Sequence, residues 1–336
     1  MSNLLYIGNK LSDHGYTSTS IETLGSFLEA EGFTVHYASS QKNIFLRMLE
    51  MVYVTLRYAK KVDYVLIDTY STKNFWYAFI ISQICRLLRV KYIPKLHGGD
   101  LPNRLQKSPY WCDLIFKNAY QNIAPSPYLF EAFKDKGYPN LIHIPNSIEL
   151  EKYQFQTRKF DVPRILWVRS FSQIYNPILA VKVLLALKKQ FPTAELCMVG
   201  PKKDESFDDT VAFAKEHDVA VTFTGKLTKA EWTDLSKNYN LFLNTTHFDN
   251  TPVSVIEAMA LGLPVVSTNV GGIPFLLQHE KNALLVADND LEAMVCQIER
   301  LFSEPELSYV LVANAYNLVK GFDWNVIRKQ WIDLLR

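Results

Sequence analysis

Two acidic residues that lie eight positions apart, Asp249 and Glu257, flank a stretch that could bind a phosphorylated ligand. Thr251 fits the cap of a helix and Pro252 fits its first position, so the backbone amides at 251, 253 and 254 would point out of the helix start. Such amides suit a phosphate or pyrophosphate, because the helix dipole adds a partial positive charge there. The segment therefore predicts an anion site between two carboxylates.

The two carboxylates suit hydroxyl groups on either side of that anion. Glu257, about one turn inside the helix, would repel phosphate but accept hydrogen bonds from the hydroxyls of a ribose. Asp249, in the loop before the helix, would lie across the phosphate, near a sugar. A structural interpretation fits equally well, in which the helix is merely capped, Asp249 is a turn residue and Glu257 is solvated. The segment alone leaves both open.

The elements that must position these residues form two α/β series. Short apolar runs alternate with helical patterns from residue 3 to residue 147, and a second series begins at 163–170. This alternation predicts parallel sheets. We expect two Rossmann-like, doubly wound domains that face a central cleft, over residues 1–160 and 161–320, and a final helix over 321–336. Ligands of such sheets bind at the carboxyl ends of the strands.

Composition narrows the class of protein. The 336 residues carry a formal net charge of only +2, which argues against a nucleic-acid binder. Residues 1–160 hold 19 Lys and Arg against 13 Asp and Glu, and residues 161–336 hold 17 against 21, so the first half could face an anionic partner or membrane. Four separated cysteines, without a metal-binding spacing, indicate buried, reduced thiols. With no evident signal peptide or membrane-spanning run, we expect a cytoplasmic protein.

Several motifs occur in the order known from one enzyme family. They are HGGD (97–100), WVRSF (167–171), CMVGP (197–201), VTFTGKL (221–227) and EAMALGLPVVSTNVGGIP (257–274), the last preceded by Asp249. Together they resemble the GT4-type retaining glycosyltransferases (glycosyltransferase group 1), which have the GT-B fold. The resemblance extends over nearly the whole chain, which makes it more specific than any single motif.

The resemblance implies that the N-terminal domain (1–160) binds the acceptor, that the C-terminal domain (161–320) binds the nucleotide-sugar, and that the final helix (321–336) crosses back to the N-terminal domain. It also implies roles for individual residues. The catalytic set would comprise Asp249 near the donor sugar, His97 on the sugar from the N-terminal domain, and Arg169 on the leaving phosphate. Donor binding would involve Glu257 on the ribose, the backbone of the 250–254 segment on the pyrophosphate, and the remaining donor-side residues Gly15, Gly225 and Lys226. The members of that segment are Asn250, Thr251, Pro252, Val253 and Ser254. The acceptor side would comprise His14, Asp100 and Asn146, although His14 could be merely solvated and Asp100 could cap a turn.

The chain also departs from the family pattern. Asp249 stands where the family has Glu, so this carboxylate is one methylene shorter. The usual phosphate-binding Lys is missing, with Tyr175 and Asn176 near its place; Lys226 is a candidate to compensate. Phe275 and Ser147 replace a usual Glu and Gly. These changes bear on donor identity and activity rather than on fold.

The resemblance predicts a metal-independent, retaining hexosyltransferase that needs no cofactor. It would move a sugar from a nucleotide-diphospho-sugar to a glycan or lipid-linked acceptor, in polysaccharide or lipopolysaccharide synthesis. A nucleotide-sugar epimerase and a non-catalytic sugar-nucleotide binder remain as alternatives.

Two further segments allow competing interpretations. Asp288-Asn289-Asp290 could hold a metal on a sugar diphosphate, but Asp290 at the start of a helix favours a cap. Residues 41–63 mix Lys and Arg with large apolar side chains. This segment could lie on an anionic membrane as a peripheral contact, or it could pack on the first sheet as an ordinary helix, and both could hold.

Overall fold

Near-continuous apolar runs form the strands, as expected for parallel strands that are covered on both faces. The computed structural model describes residues 2–12 and 19–336, so His14 and Gly15 lie outside the described residues. The strands are β1 (Asn3–Ile7), β2 (Thr34–Ala38), β3 (Tyr64–Thr69), β4 (Lys91–Leu96), β5 (Asn122–Ala124), β6 (Leu141–His143), β7 (Arg164–Val168), β8 (Glu195–Val199), β9 (Thr222–Gly225), β10 (Leu241–Asn244), β11 (Val265–Thr268) and β12 (Leu284–Val286).

Helices follow most of these strands. In chain order they are α1 (Ser20–Ala30), α2 (Ile44–Tyr58), α3 (Phe75–Leu87), α4 (Leu101–Lys107), α5 (Pro109–Phe116), α6 (Pro127–Asp135), α7 (Pro177–Leu187), α8 (Ser206–Glu216), α9 (Lys229–Leu235), α10 (Val253–Ala260), α11 (Ile273–Leu276), α12 (Leu291–Ser303), α13 (Pro305–Val319) and α14 (Trp324–Leu335).

The chain divides into two compact units. The first comprises Met1–Ser147 with Ile327–Arg336, and the second comprises Ile148–Val326. The division therefore falls at Ser147/Ile148 rather than at the expected 160/161, and the last ten residues group with the first unit. The segment 148–160 belongs to the second unit because its side chains pack there: Tyr153, for example, lies in the same apolar cluster as Val255 and Ile256 of α10.

The first unit contains a parallel sheet of six strands among the described residues, in the order β2-β1-β3-β4-β5-β6. The strand order reverses between β1 and β3, and polar groups are expected at the carboxyl ends of the strands on either side of such a point. Asp68 pairs with Lys95 in the register of β3 and β4. Both side chains are buried. Asp68 is the only charged residue of β3.

The second unit contains a second parallel sheet of six described strands, in the order β12-β11-β10-β7-β8-β9. Counted from β7, this is the order of dinucleotide-binding domains, with the topological switch point between β7 and β10. Arg169 directly follows β7, and the loop with Asp249 follows β10. The sheet topology therefore brings together two residues that are far apart in sequence.

Helix α2 packs on the first unit and also presents an apolar outer face. Arg47, Met51 and Thr55 are its buried residues, so the predicted packed helix is confirmed. The opposite side exposes large apolar side chains, with Phe45 77% and Leu49 65% exposed. We call the exposed residues Phe45, Leu46, Leu49, Tyr53 and Leu56 the α2 outer face. No helix in the described part of the chain is long and apolar enough to span a membrane.

Two smaller expectations have opposite outcomes. Asp290 caps α12, since its carboxylate accepts a hydrogen bond from the amide of Ala293 at 2.9 Å. The predicted cap is thus confirmed, and Asp288 pairs instead with His247 at 2.8 Å. The expectation that all four thiols are buried is wrong for Cys296, which is exposed because it lies on the outer side of α12.

Candidate functional site

Arg169 and Asp249 form an ion pair at the switch point of the second sheet. Nη2 of Arg169 lies 2.6 Å from Oδ2 of Asp249, and the two side chains are only 12% and 16% exposed. Two weaker contacts of 3.4 Å join the guanidinium to Oδ1 of Asn244 at the end of β10. A partly buried ion pair at the carboxyl ends of the central strands can exchange partners with an entering anion.

Tyr175 takes part in positioning Arg169. The guanidinium carbon of Arg169 lies 4.8 Å from the centre of the Tyr175 ring, within the range of cation–π contacts. Burial raises the pKa of the Tyr175 phenol, so the ring stays neutral. Where the family has a phosphate-binding Lys, this chain therefore has an aromatic residue that supports the neighbouring Arg.

Two glycines allow close backbone approaches around the ion pair. A Cβ on Gly200 would lie 1.7 Å from the carbonyl oxygen of Arg169, and a Cβ on Gly272 would lie 2.1 Å from that of Asn250. The amide of Gly272 also donates a hydrogen bond to the carbonyl of Asp249 at 2.8 Å. Gly272, which follows β11, thus braces the backbone of the loop that carries Asp249.

Gly272→Ala is expected to lower the free energy of unfolding by about 1–3 kcal/mol, because the backbone must shift to admit the methyl group. Gly272 has a φ of −87°, which Ala adopts readily, so the effect is steric. Gly321→Ala is the matched control, since its Cβ would meet nothing within 4 Å. Urea denaturation of both variants checks this; equal midpoints would contradict the bracing role of Gly272.

Helix α10 begins one residue later than the sequence predicts. Pro252 is the N-cap, with a ψ of 113°, and no side chain caps the helix. Thr251 as the cap and Pro252 as the first helical residue are therefore wrong, because the extended ψ of Pro252 delays the helix to Val253. The carbonyl of Pro252 accepts hydrogen bonds from Val255 and Ile256.

The start of α10 keeps groups that can bind an anion. By helix geometry the amides of Val253 and Ser254 have no acceptor within the helix. The Ser254 hydroxyl oxygen is buried and has no hydrogen-bond partner among the described residues. The amide of Asn250 is different, because it donates to its neighbour's carboxylate, Oδ1 of Asp249, at 2.7 Å. The amide of Asn250 is therefore already paired, whereas anion binding over 250–254 stays a prediction that the amides of Val253 and Ser254 can support.

Arg158 holds the other end of α10. Its guanidinium donates to the carbonyls of Leu261 at 2.9 Å, Ser236 at 2.8 Å and Tyr239 at 3.0 Å. Burial lowers the pKa of Arg158 to about 10, so it remains charged at neutral pH. A cation at the C-terminal end of a helix is favourable, and this one fixes the helix whose start faces the site.

Glu257 lies on α10 and is buried, not solvated. Its Oε1 accepts a hydrogen bond from the hydroxyl of Tyr153 at 2.7 Å and lies 2.9 Å from Nζ of Lys229. Burial and the adjacent carboxylate raise the pKa of Tyr153 far above its usual range, so this phenol stays a donor. One carboxylate oxygen is therefore fixed by two donors, while Oε2 has no hydrogen bond from the described residues.

Tyr153 and Lys229 were not predicted from the sequence. Lys229 begins α9, four residues after Gly225, and a carboxylate partner on another helix has no local sequence signal. Gly225 has a φ of 70° and accepts a hydrogen bond from the amide of Gly200 at 2.9 Å. Lys226 is exposed in the loop between them. Lys229 thus pairs with Glu257, and the role of Lys226 in donor binding stays a prediction.

The predicted residues of the first unit separate into two groups. His97, directly after β4, has Nε2 2.8 Å from Oδ1 of Asp68. Asp100 is exposed at the start of α4, where its carboxylate accepts a hydrogen bond from Asn103 at 2.6 Å and makes no cap bond. Asn146 is half-buried in the segment after β6. His97 thus belongs to a polar cluster at the carboxyl ends of strands, and Asp100 lies on the surface.

Comparison with known proteins places this geometry in context. The sequence profile of the family "Glycosyl transferases group 1" matches residues 150–318. The amylovoran biosynthesis glycosyltransferase AmsK of Erwinia amylovora is 25% identical over 278 residues, which are 78% of this chain and 68% of AmsK. The chain spans less than half the length of most curated relatives that it matches.

Two solved structures match the fold over nearly the full chain. Sucrose-phosphate synthase from Thermosynechococcus elongatus has a TM-score of 0.80 at 18% identity, covering 99% of this chain and 98% of its own. HepE of Anabaena, in complex with UDP and glucose, has a TM-score of 0.78 at 17% identity, covering 100% and 99%. At these identities the likeness concerns the fold, which is the predicted GT-B fold.

Proposed function

Since this chain belongs to the glycosyl transferases group 1 family, we propose that it is a retaining glycosyltransferase. It would transfer a sugar of the hexose type from a nucleotide-diphospho-sugar to a glycan or lipid-linked acceptor. One observation carries this proposal. Arg169 follows β7, while Asp249, the start of α10 and the buried Glu257 follow β10, and these two neighbouring strands flank the switch point of one sheet. The solved HepE complex with UDP and glucose supports a donor of this class, with UDP-sugars as the first to test.

We propose a binding group in the second unit for each part of the donor. The ribose hydroxyls would donate to Glu257, whose position is fixed by Tyr153 and Lys229. The diphosphate would accept hydrogen bonds from the amides at 253 and 254, at the positive end of α10. Arg169 would exchange Asp249 for the phosphate nearest the sugar, and Asp249 would then accept hydrogen bonds from sugar hydroxyls.

The reaction needs positive charge where the nucleoside diphosphate leaves. Arg169 and the start of α10 would supply it without a metal ion, because both stabilise negative charge that develops on the phosphate. We propose that the acceptor hydroxyl attacks on the face from which the phosphate departs, and that a phosphate oxygen takes its proton. The sugar would then keep its anomeric configuration.

The acceptor is proposed to lie at a membrane surface. The α2 outer face is apolar, and the exposed Lys42, Arg57, Lys60 and Lys61 flank it. Apolar side chains beside a cluster of cations suit the interface of an anionic bilayer, so a peripheral contact at the cytoplasmic face fits a lipid-linked acceptor. Co-sedimentation with vesicles of anionic and neutral lipid tests this; equal binding to both, or none, would contradict it.

Release of nucleoside diphosphate from a panel of nucleotide-sugars tests the transferase activity. We expect one donor to turn over in the presence of a membrane glycolipid extract, and chelator to leave the rate unchanged. Proton NMR of the product should give the same anomeric configuration as the donor. Loss of activity with chelator would overturn metal independence.

The same panel separates the alternatives. Binding without turnover would favour the non-catalytic binder, which the missing family Lys motivates. A donor whose sugar is inverted in configuration and then released, without acceptor, would favour the epimerase. If no donor binds or reacts, the proposed function is wrong.

A further inference from the structure

A chain of buried and partly buried hydrogen bonds in the first unit ends on His97. Nζ of Lys95 donates to Oγ of Ser20 at 2.5 Å, and that oxygen lies 3.1 Å from the hydroxyl of Tyr6. Tyr6 donates to Oδ1 of Asp68 at 2.9 Å, and the same oxygen lies 2.8 Å from Nε2 of His97. Four of these five side chains have no role in the site described above.

This network lies at the point where the strand order of the first sheet reverses. Tyr6 pairs with Leu66 and Asp68 pairs with Lys95, so the three polar side chains leave the sheet on one face. Gly8, the first residue after β1, leaves room for it, because a Cβ there would lie 2.7 Å from Oδ2 of Asp68. Asp68 and Lys95 are thus buried charged residues at the carboxyl ends of β3 and β4, where apolar side chains would be enough to fill the core.

The charges of the network compensate one another. Tyr6 and Asp68 are 0% exposed and Lys95 is 5% exposed, and a buried carboxylate is costly without positive charge nearby. Burial lowers the pKa of Lys95 to about 8, and the negative charge of Asp68 opposes this shift. Lys95 therefore keeps its proton at neutral pH and places a positive charge near Asp68.

Two contacts fix the ring of His97. The Tyr70 ring stacks on it with centroids 5.1 Å apart and planes inclined by 23°, which sets the plane of the imidazole. The contact with Asp68 sets the rotation of the ring within that plane. An ionised carboxylate only accepts, so a proton on Nε2 satisfies this contact, and a neutral imidazole with that proton has its lone pair on Nδ1. The His97 side chain remains 14% exposed.

We propose that Asp68 is a positioning residue that holds His97 with its proton on Nε2, so that Nδ1 accepts a hydrogen bond from a hydroxyl of the substrate. The proposal rests on the proposed function for the class of that substrate, a sugar-containing molecule that supplies the hydroxyl. Tyr6 orients the Asp68 carboxylate through its hydrogen bond, and Ser20, which accepts a hydrogen bond from Lys95, contacts the Tyr6 hydroxyl. The network thereby sets His97 as an acceptor and not as a donor.

The tautomer can be measured without any activity. Nitrogen NMR of protein labelled with ¹⁵N-histidine, at a pH where the ring is neutral, reports which nitrogen carries the proton, and the His97→Gln variant identifies the signals of His97. The native protein should carry the proton on Nε2. Asp68→Asn should shift part of the population to Nδ1, because the amide can donate to Nε2. Asp63→Asn, at the exposed residue before β3, is the control and should change nothing.

Steady-state kinetics then distinguishes a positioning role of Asp68 from a merely structural one. Asp68→Asn should lower kcat about 10- to 100-fold, as expected when an orienting partner is removed. In the His97→Gln background, Asp68→Asn should lower kcat less than about twofold, because Asp68 then has no imidazole to position. Tyr6→Phe, which removes one donor to Asp68, should give a smaller loss and serves if Asp68→Asn folds poorly.

Specific results would overturn the inference. A proton on Nδ1 in the native protein, an unchanged tautomer in Asp68→Asn, or equal losses in both backgrounds would each contradict a positioning role for Asp68. If the native protein turns over no donor, the proposed function fails. The NMR measurement still decides the tautomer in that case, so the two failures are distinguishable.

Discussion

Replacing Arg169 with Ala is expected to lower kcat/KM about 10²- to 10³-fold, the loss typical of removing a group that stabilises developing negative charge. The side chain is held by Asp249 at 2.6 Å, by Asn244 and by the ring of Tyr175, so it is preorganised before the donor binds. Its removal also leaves Asp249 partly buried without its cation. Steady-state kinetics with the preferred donor measures the effect.

The control lies on the same strand. Arg164 begins β7 and pairs with the exposed Asp161 at 2.8 Å, so Arg164→Ala should leave kcat/KM nearly unchanged. Arg169→Lys should recover only part of the rate, because an ammonium group does not reproduce the planar fork of guanidinium. Equal rates in the two Ala variants would remove Arg169 from the mechanism.

Glu257→Gln is expected to weaken binding of the nucleoside diphosphate by about 1.5–3 kcal/mol, since hydrogen bonds to a charged acceptor contribute that much. The carboxylate is buried beside Tyr153 and Lys229, so water does not replace the lost acceptor easily. Gln keeps the size of the side chain, and the loss therefore reports charge. Isothermal titration calorimetry with the nucleoside diphosphate alone measures it.

An exposed glutamate of the same unit provides the comparison. Glu292→Gln, in the first turn of α12, should bind the nucleotide as the native protein does. If Glu257→Gln binds as tightly as Glu292→Gln, the ribose does not lie on Glu257.

The sequence predicts the sheets well because strand patterns are local. The first series, expected from residue 3, and the second, expected from 163–170, begin with β1 and β7 in the structure, and parallel order places the carboxyl ends of neighbouring strands together. The ion pair of Arg169 with Asp249, in contrast, cannot be predicted from local patterns. The two residues are 80 positions apart, and only the family resemblance connected them before the fold was known.

Residues whose partners come from other elements could not be predicted from the sequence. Lys229 and Tyr153 meet Glu257 only because β9, α9 and the segment before β7 converge on α10. A signal did exist for Asp68 and Lys95, since a charged residue in a mostly apolar strand is rarely buried without a partner. The start of α10 could not be located to one residue, because Pro fits both the cap and the first turn.

The most direct test of this donor site is a crystal structure of the protein with the nucleoside diphosphate of its preferred donor. We expect the ribose on Glu257, the diphosphate at the amides of Val253 and Ser254, and Arg169 turned from Asp249 to the outer phosphate. A nucleotide bound elsewhere, or bound with the Arg169–Asp249 pair intact and Glu257 untouched, would contradict it.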